Sequence, residues 1–182
     1  MSSNGHGTAL AEMTNDAAAL NFSRDRLHEH DLRYEMAGEF VDVVRGLWDT
    51  WDDGAVVADL YAGSGALGLE AISRGAERAI FVERDRSALV ALRQNIQNLG
   101  VGEQCVVHAV DVLAWVPAMR GVDIAFIDPP YDFSGWDALL AVLDVPLVVA
   151  ESDEPVVAPS GWEVVRTKRY GRTHVTTLER VG

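Results

Sequence analysis

The chain has 182 residues, is 48% hydrophobic with a mean hydropathy of +0.04, and carries 28 acidic against 15 basic side chains, a net charge of −13. This length makes one domain with material for a core. The absence of any 18-residue apolar run excludes a helical membrane span, and the single Cys105 excludes an internal disulfide.

Residues 1–20 are small and polar, without the basic and apolar regions of a secretory leader, and are expected to form a disordered tail. A cytoplasmic protein is expected. Residues 21–33 mix Arg24, Arg26 and Arg33 with acids and read as a solvated helix face. His28 and His30 are two apart, which puts them on different helix faces, so no metal site is expected. Residues 34–51 are amphipathic: Met36, Phe40, Val43, Val44, Leu47, Trp48 and Trp51 follow the helical period.

The apolar run Val56–Ala58 ends in Asp59 and is followed by Tyr61 and the glycines Gly63, Gly65 and Gly68, then a helical pattern from Ala66 to Arg74. This is a strand, a tight turn and a helix N-terminus, the ligand-binding corner of an open α/β sheet. A second strand at Ala79–Glu83 ends in Glu83, 20 residues after Gly63. A carboxylate there suits ribose hydroxyls in a dinucleotide or S-adenosylmethionine (SAM) site, and this pattern alone does not separate the two. A helix over Arg86–Leu99 stops at Gly100. The strand 104–110 places Cys105 in the core and ends at Asp111, which can accept from an adenine amino group, cap the short helix at Leu113–Ala118, or do both.

A fourth strand, Val122–Ile127, runs into Asp128-Pro129-Pro130-Tyr131. Two prolines stiffen this loop, which offers a carboxylate, carbonyl oxygens and an aromatic ring. That set suits a flat base bearing an exocyclic amino group, and a hydride-transfer enzyme has no evident use for it. Asp128, Pro129, Pro130 and Tyr131 are therefore the candidate catalytic residues. The candidate cofactor residues are Asp59, Tyr61, Gly63, Gly65, Glu83 and Asp111. A helix over Ser134–Leu143 and a strand at Pro146–Glu151 follow. Trp162–Arg169 and Thr173–Arg180 then alternate around Tyr170-Gly171-Arg172, an antiparallel hairpin. Strands alternating with helices, closed by a hairpin, make a three-layer α/β/α domain over residues 21–182, with its core at 54–182.

Charge is distributed unevenly. Residues 1–53 sum to −7, residues 54–157 to −9, and residues 158–182 to +3. Arg166, Lys168, Arg169 and Arg172 form the basic cluster and are the candidate phosphate contacts.

Together DLYAGSGALGLEAISRGA, FVERD, IDPPY and the terminal YGRT hairpin resemble the bacterial 16S rRNA guanine-N2 methyltransferases, over roughly residues 54–182. The resemblance implies a Rossmann-like class I methyltransferase fold with a seven-stranded, mostly parallel sheet. It also implies SAM as cofactor and methylation of a guanine amine in the small ribosomal subunit or its assembly intermediate. Before residue 54 the chain departs from that family, whose members carry a basic arginine-proline-threonine segment where this chain has FSRDRLHEHDLR. A monomer without metal or membrane association is expected. The competing readings are another amino acceptor (DNA adenine or a protein amide), a non-catalytic SAM-binding protein, and an NAD oxidoreductase.

Overall fold

The computed structural model describes residues 54–182; the tail, charged segment and amphipathic helix expected before residue 54 lie outside the described residues. Seven strands and four helices follow in order: β1 Val56–Leu60, α1 Ala66–Ser73, β2 Arg78–Val82, α2 Arg86–Leu99, β3 Cys105–His108, α3 Val112–Trp115, β4 Ile124–Ile127, α4 Trp136–Val142, β5 Leu147–Ser152, β6 Trp162–Tyr170 and β7 Thr173–Arg180. Single 3₁₀ turns at Gly102–Gln104 and Val116–Ala118 complete the set.

The strands form one sheet in the order β3-β2-β1-β4-β5-β7-β6. The first five are parallel, and β7 joins antiparallel to both β5 and β6. The order reverses between β1 and β4, both buried along nearly their whole length. Central parallel strands read as continuous apolar runs because helices cover both faces. On one face α1 and α2 set Leu69, Ile72, Leu89, Leu92 and Ile96 against Val57, Phe81, Phe126 and Val149. On the other, Val112, Met119, Leu139, Leu140 and Leu143 pack on Ala58, Leu60, Ile127 and Val148. The architecture is the three-layer α/β/α arrangement the alternating pattern predicts, with the hairpin in place.

Local chemistry sets the element ends. Asp85 caps α2 by accepting from Ala88 N–H, and Gly100 ends it in the left-handed conformation at φ 67°. The short third helix spans Val112–Trp115 and continues as the Val116–Ala118 turn, because Pro117 cannot donate a helical hydrogen bond. Cys105, expected in the core, is half-buried: β3 is the edge strand, so one side of it has no neighbour.

Candidate active site

The carboxyl ends of β1, β2, β3, β4 and β5 meet at one edge of the sheet, around a cavity of about 1030 Å³. Tyr61, Glu83, Asp111, Asp128, Pro129, Pro130, Tyr131 and Glu151 all line it. A crevice at the switch point of a doubly wound sheet is where such folds take ligands. Its volume sits at the upper end of the range for small-molecule sites, about 300–1,000 Å³.

The glycine-rich turn is built from β1 outward. Asp59 is 1% exposed, and its carboxylate accepts from Gly68 N–H at 2.9 Å, tying the strand to the first turn of α1. Burial pushes its carboxyl up to about 8, against the lowering effect of that hydrogen bond. Asp59 does not line the cavity, so it acts on the site through the backbone it braces. Tyr61 has φ 64°, the single positive φ of a non-glycine residue among those described. It is held there by the N–H groups of Tyr61 and Ala62, which both donate to the Val82 carbonyl. Its ring meets Phe133 edge-on at 5.5 Å, and Phe133 meets Trp136 at 5.2 Å, an aromatic wall behind the fourth-strand loop.

Gly63, Gly65 and Gly68 serve different needs. A Cβ on Gly68 would strike the Phe81 ring, and one on Gly65 would strike Leu92, so these two let α1 seat against β2 and α2. A Cβ on Gly63 would meet nothing within 4 Å, although its φ is 53°. Its N–H donates to Glu83 at 2.9 Å. The other oxygen of Glu83 accepts from Arg84 and Asp85 N–H, both at 2.7 Å. Glu83 thus holds the turn at the sheet edge and still borders the cavity. Asp111 caps the short helix by accepting from Leu113 N–H, and its second oxygen pairs with Arg84 at 3.0 Å. The capping role open in the sequence is realised, and Asp111 also faces the cavity.

At the end of β4, the Phe133 N–H donates to the Pro130 carbonyl and closes the proline loop into a turn. Asp128 is open to solvent at the cavity, while the protein packed around its carboxyl pushes it up. It has no hydrogen-bond or ion-pair partner among the described residues, and no described N–H reaches the Pro129 carbonyl. Tyr131 is 72% exposed at the rim. An unpaired carboxyl, a free carbonyl and an uncovered ring stand together at one point of the cavity wall. Glu151, at the end of β5, borders the same space. The sequence pattern ends the fifth strand at Glu151 but does not single it out; the available signal is a strand-end acid like Glu83.

Of the basic residues, Arg166, Arg169 and Arg172 are exposed and Lys168 is half-buried. Ser152 at the end of β5 pairs with His174, and Tyr170 pairs with Thr173. The tip of the hairpin therefore shares the cavity's edge of the sheet. At about 4.8 Å per strand, β6 lies roughly 14 Å from β4. The structure brings the catalytic and cofactor candidates around one cavity, except Asp59, Gly63 and Gly65, which support it from behind. The basic cluster stands to one side along the same edge. Among the described residues no group of three or more His, Cys, Asp or Glu is placed to hold a metal, and no helix is long and apolar enough to cross a membrane.

Strand order 3-2-1-4-5-7-6, a glycine-rich first turn and an acid at the end of β2 define a class I methyltransferase fold. A family model described as conserved hypothetical protein 95 matches residues 41–179, and the chain belongs to that family. Its relatives include the Bacillus subtilis protein YlbH, 33% identical over 82% of this chain and 83% of that one. Ribosomal RNA small subunit methyltransferase D of Escherichia coli is 34% identical over 67% of each chain. Among solved structures, the Haemophilus influenzae protein HI0767 superposes with a TM-score of 0.70, covering 80% of this chain and 99% of that one at 23% identity. A local match of another kind links 26% of the chain, at 46% identity, to N-acetyl-S-(2-succino)cysteine monooxygenase of Bacillus subtilis. It takes in 11% of that protein and carries no activity across.

Proposed function

We propose that the protein transfers a methyl group from SAM to the exocyclic N2 amino group of a guanine in 16S rRNA, within the small ribosomal subunit or its assembly intermediate. The observation that carries this reading is the rigid Asp128–Tyr131 loop, whose unpaired carboxyl and free Pro129 carbonyl border a cavity that Glu83 and Asp111 also line. The relatedness to small-subunit methyltransferase D supports the choice of substrate. The basic hairpin tip on the same edge supplies candidate phosphate contacts in an otherwise acidic chain.

The residues present fit SAM. Glu83 and Asp111 border one part of the cavity as acceptors for hydroxyl and amino groups. The Asp128 carboxyl, short of partners, suits a ligand that carries positive charge. When bound, SAM supplies a methyl group already activated by its sulfonium. The protein's task is then to orient the attacking nitrogen. Guanine N2 is a weak nucleophile because its lone pair is delocalised into the ring. Asp128 and the Pro129 carbonyl accept its two N–H bonds and favour release of that lone pair. As N2 becomes positive, the Asp128 carboxylate stabilises the charge more than it did in the ground state. One N2 proton then passes to Asp128 and on to solvent. Tyr131 stacks on the base, which must be flipped out or lie in a loop.

The test is methyl transfer from labelled SAM to 30S particles that lack the modification, with the product nucleoside identified by mass spectrometry. N2-methylguanosine in 16S rRNA is the expected product. Intact SAM binding with no methylated nucleoside would overturn the reading.

A further inference from the structure

We infer that Glu151 is the residue that reads the base: its carboxyl pairs with the N1–H and O6 of guanine while Asp128 and the Pro129 carbonyl hold the N2 amino group. This inference rests on the proposed guanine acceptor.

The placement comes from the sheet. Ile127 pairs with Ala150 at the end of the parallel β4–β5 ladder, and Asp128 and Glu151 are the residues that follow each of them. Both line the main cavity, and both border the small recess walled by Pro129, Phe133 and Trp136. The Glu151 side chain is half-buried and has no hydrogen-bond or ion-pair partner among the described residues. A partly buried carboxyl without a partner weakens the fold, so its presence needs a reason other than stability.

The two carboxyls do not carry charge equally. Burial, then the neighbouring Asp128 charge, pushes the Glu151 carboxyl up, and burial pushes Asp128 up by less. On β7 the residue opposite Glu151 is the neutral Val175, and Lys168 lies one strand beyond on β6. Two carboxyls this close disfavour a second charge, so one proton held between them is favoured, on Glu151 as the more strongly raised of the two. An anion only accepts, which suits an amino group. A neutral carboxylic acid accepts at its carbonyl and donates from its hydroxyl. That is the complement of the guanine lactam edge, with its N1–H donor and O6 acceptor side by side.

The experiment compares wild type, Glu151→Gln and Glu151→Ala on 30S particles reconstituted with either guanosine or 2-aminopurine riboside at the accepting position. 2-Aminopurine keeps the N2 amino group and lacks both the N1–H and O6. Wild type and Glu151→Gln are expected to favour guanine in kcat/KM by about 10–100-fold, since the glutamine amide also donates and accepts. In Glu151→Ala that preference should collapse to within about threefold, through a larger loss of the guanine rate than of the 2-aminopurine rate. Wild-type activity should fall as pH rises through about 8, where Glu151 loses its proton, and this limb should vanish in Glu151→Gln. Should Glu151→Ala fail to fold, the pH comparison decides: an unchanged limb in Glu151→Gln overturns the role. Guanine preference retained in a folded Glu151→Ala also overturns it, with the guanine reading left standing. No transfer to guanosine by wild type overturns both.

Discussion

Replacing Asp59 by asparagine should change how stability responds to pH. Asp59 is enclosed between β1 and α1 and accepts from Gly68 N–H. Desolvation raises its carboxyl from the ordinary 3.8 to about 8, with Asp128 and Glu83 adding smaller repulsions. Between those two values the folded chain keeps a proton that the unfolded chain releases. Stability therefore falls as pH rises through this window, and the loss is complete above the folded value. A tenfold change in acidity is worth about 1.4 kcal/mol, so the full window amounts to on the order of 5 kcal/mol. Asparagine keeps an oxygen for Gly68 N–H and cannot ionise. Its buried NH₂ adds a cost of about 1–3 kcal/mol that does not vary with pH. The readout is thus the slope and not the offset. From about pH 5 to about pH 8 the variant should gain roughly 4 kcal/mol on wild type, near 10 °C in melting temperature. Denaturant melts of both proteins across that range measure it. Two curves that stay parallel would refute the assignment of a buried, proton-holding carboxyl.

Four further variants separate support from chemistry. Gly63→Ala should cost only the left-handed backbone penalty, about 1–2 kcal/mol, and weaken SAM binding; Gly65→Ala also drives a methyl into Leu92 and should lower the melting temperature clearly further. Equal melting losses would argue against that division of roles. Trp162→Phe removes the 2.9 Å bond from Nε1 to the Leu140 carbonyl and should cost about 1–3 kcal/mol in denaturant melts, while SAM affinity measured by calorimetry stays the same. Replacing Arg166, Lys168, Arg169 and Arg172 together by alanine should leave SAM binding intact and flatten the salt dependence of RNA binding, the log–log slope falling by up to about 3. An unchanged slope would place the RNA elsewhere.

The fold was legible wherever one local signal decided the structure. Asp85 before the α2 pattern and Gly100 after it mark that helix, and Tyr170-Gly171-Arg172 marks the hairpin. The glycine spacing located the ligand corner but not the division of labour within it, because Gly65 and Gly68 are fixed by Leu92 and Phe81, which are distant in sequence. Cys105 shows the same limit: an apolar stretch looks the same on a central strand and on an edge strand, and only strand order tells them apart.

The acids make the point most directly. Asp59, Glu83, Asp111, Asp128 and Glu151 each stand at or near the end of a strand, and as sequence they are alike. Their environments make them differ. Glu83 and Asp111 are satisfied by backbone N–H groups. Asp59 has one such partner and is closed off from solvent. Asp128 and Glu151 have none among the described residues and have each other as neighbours. They are far apart along the chain, and only the parallel pairing of β4 with β5 makes them adjacent. Two carboxyls that resist being charged together are a property of that pairing. It gives one sheet edge an acceptor and a combined donor–acceptor without adding any residue type that the motif lacked.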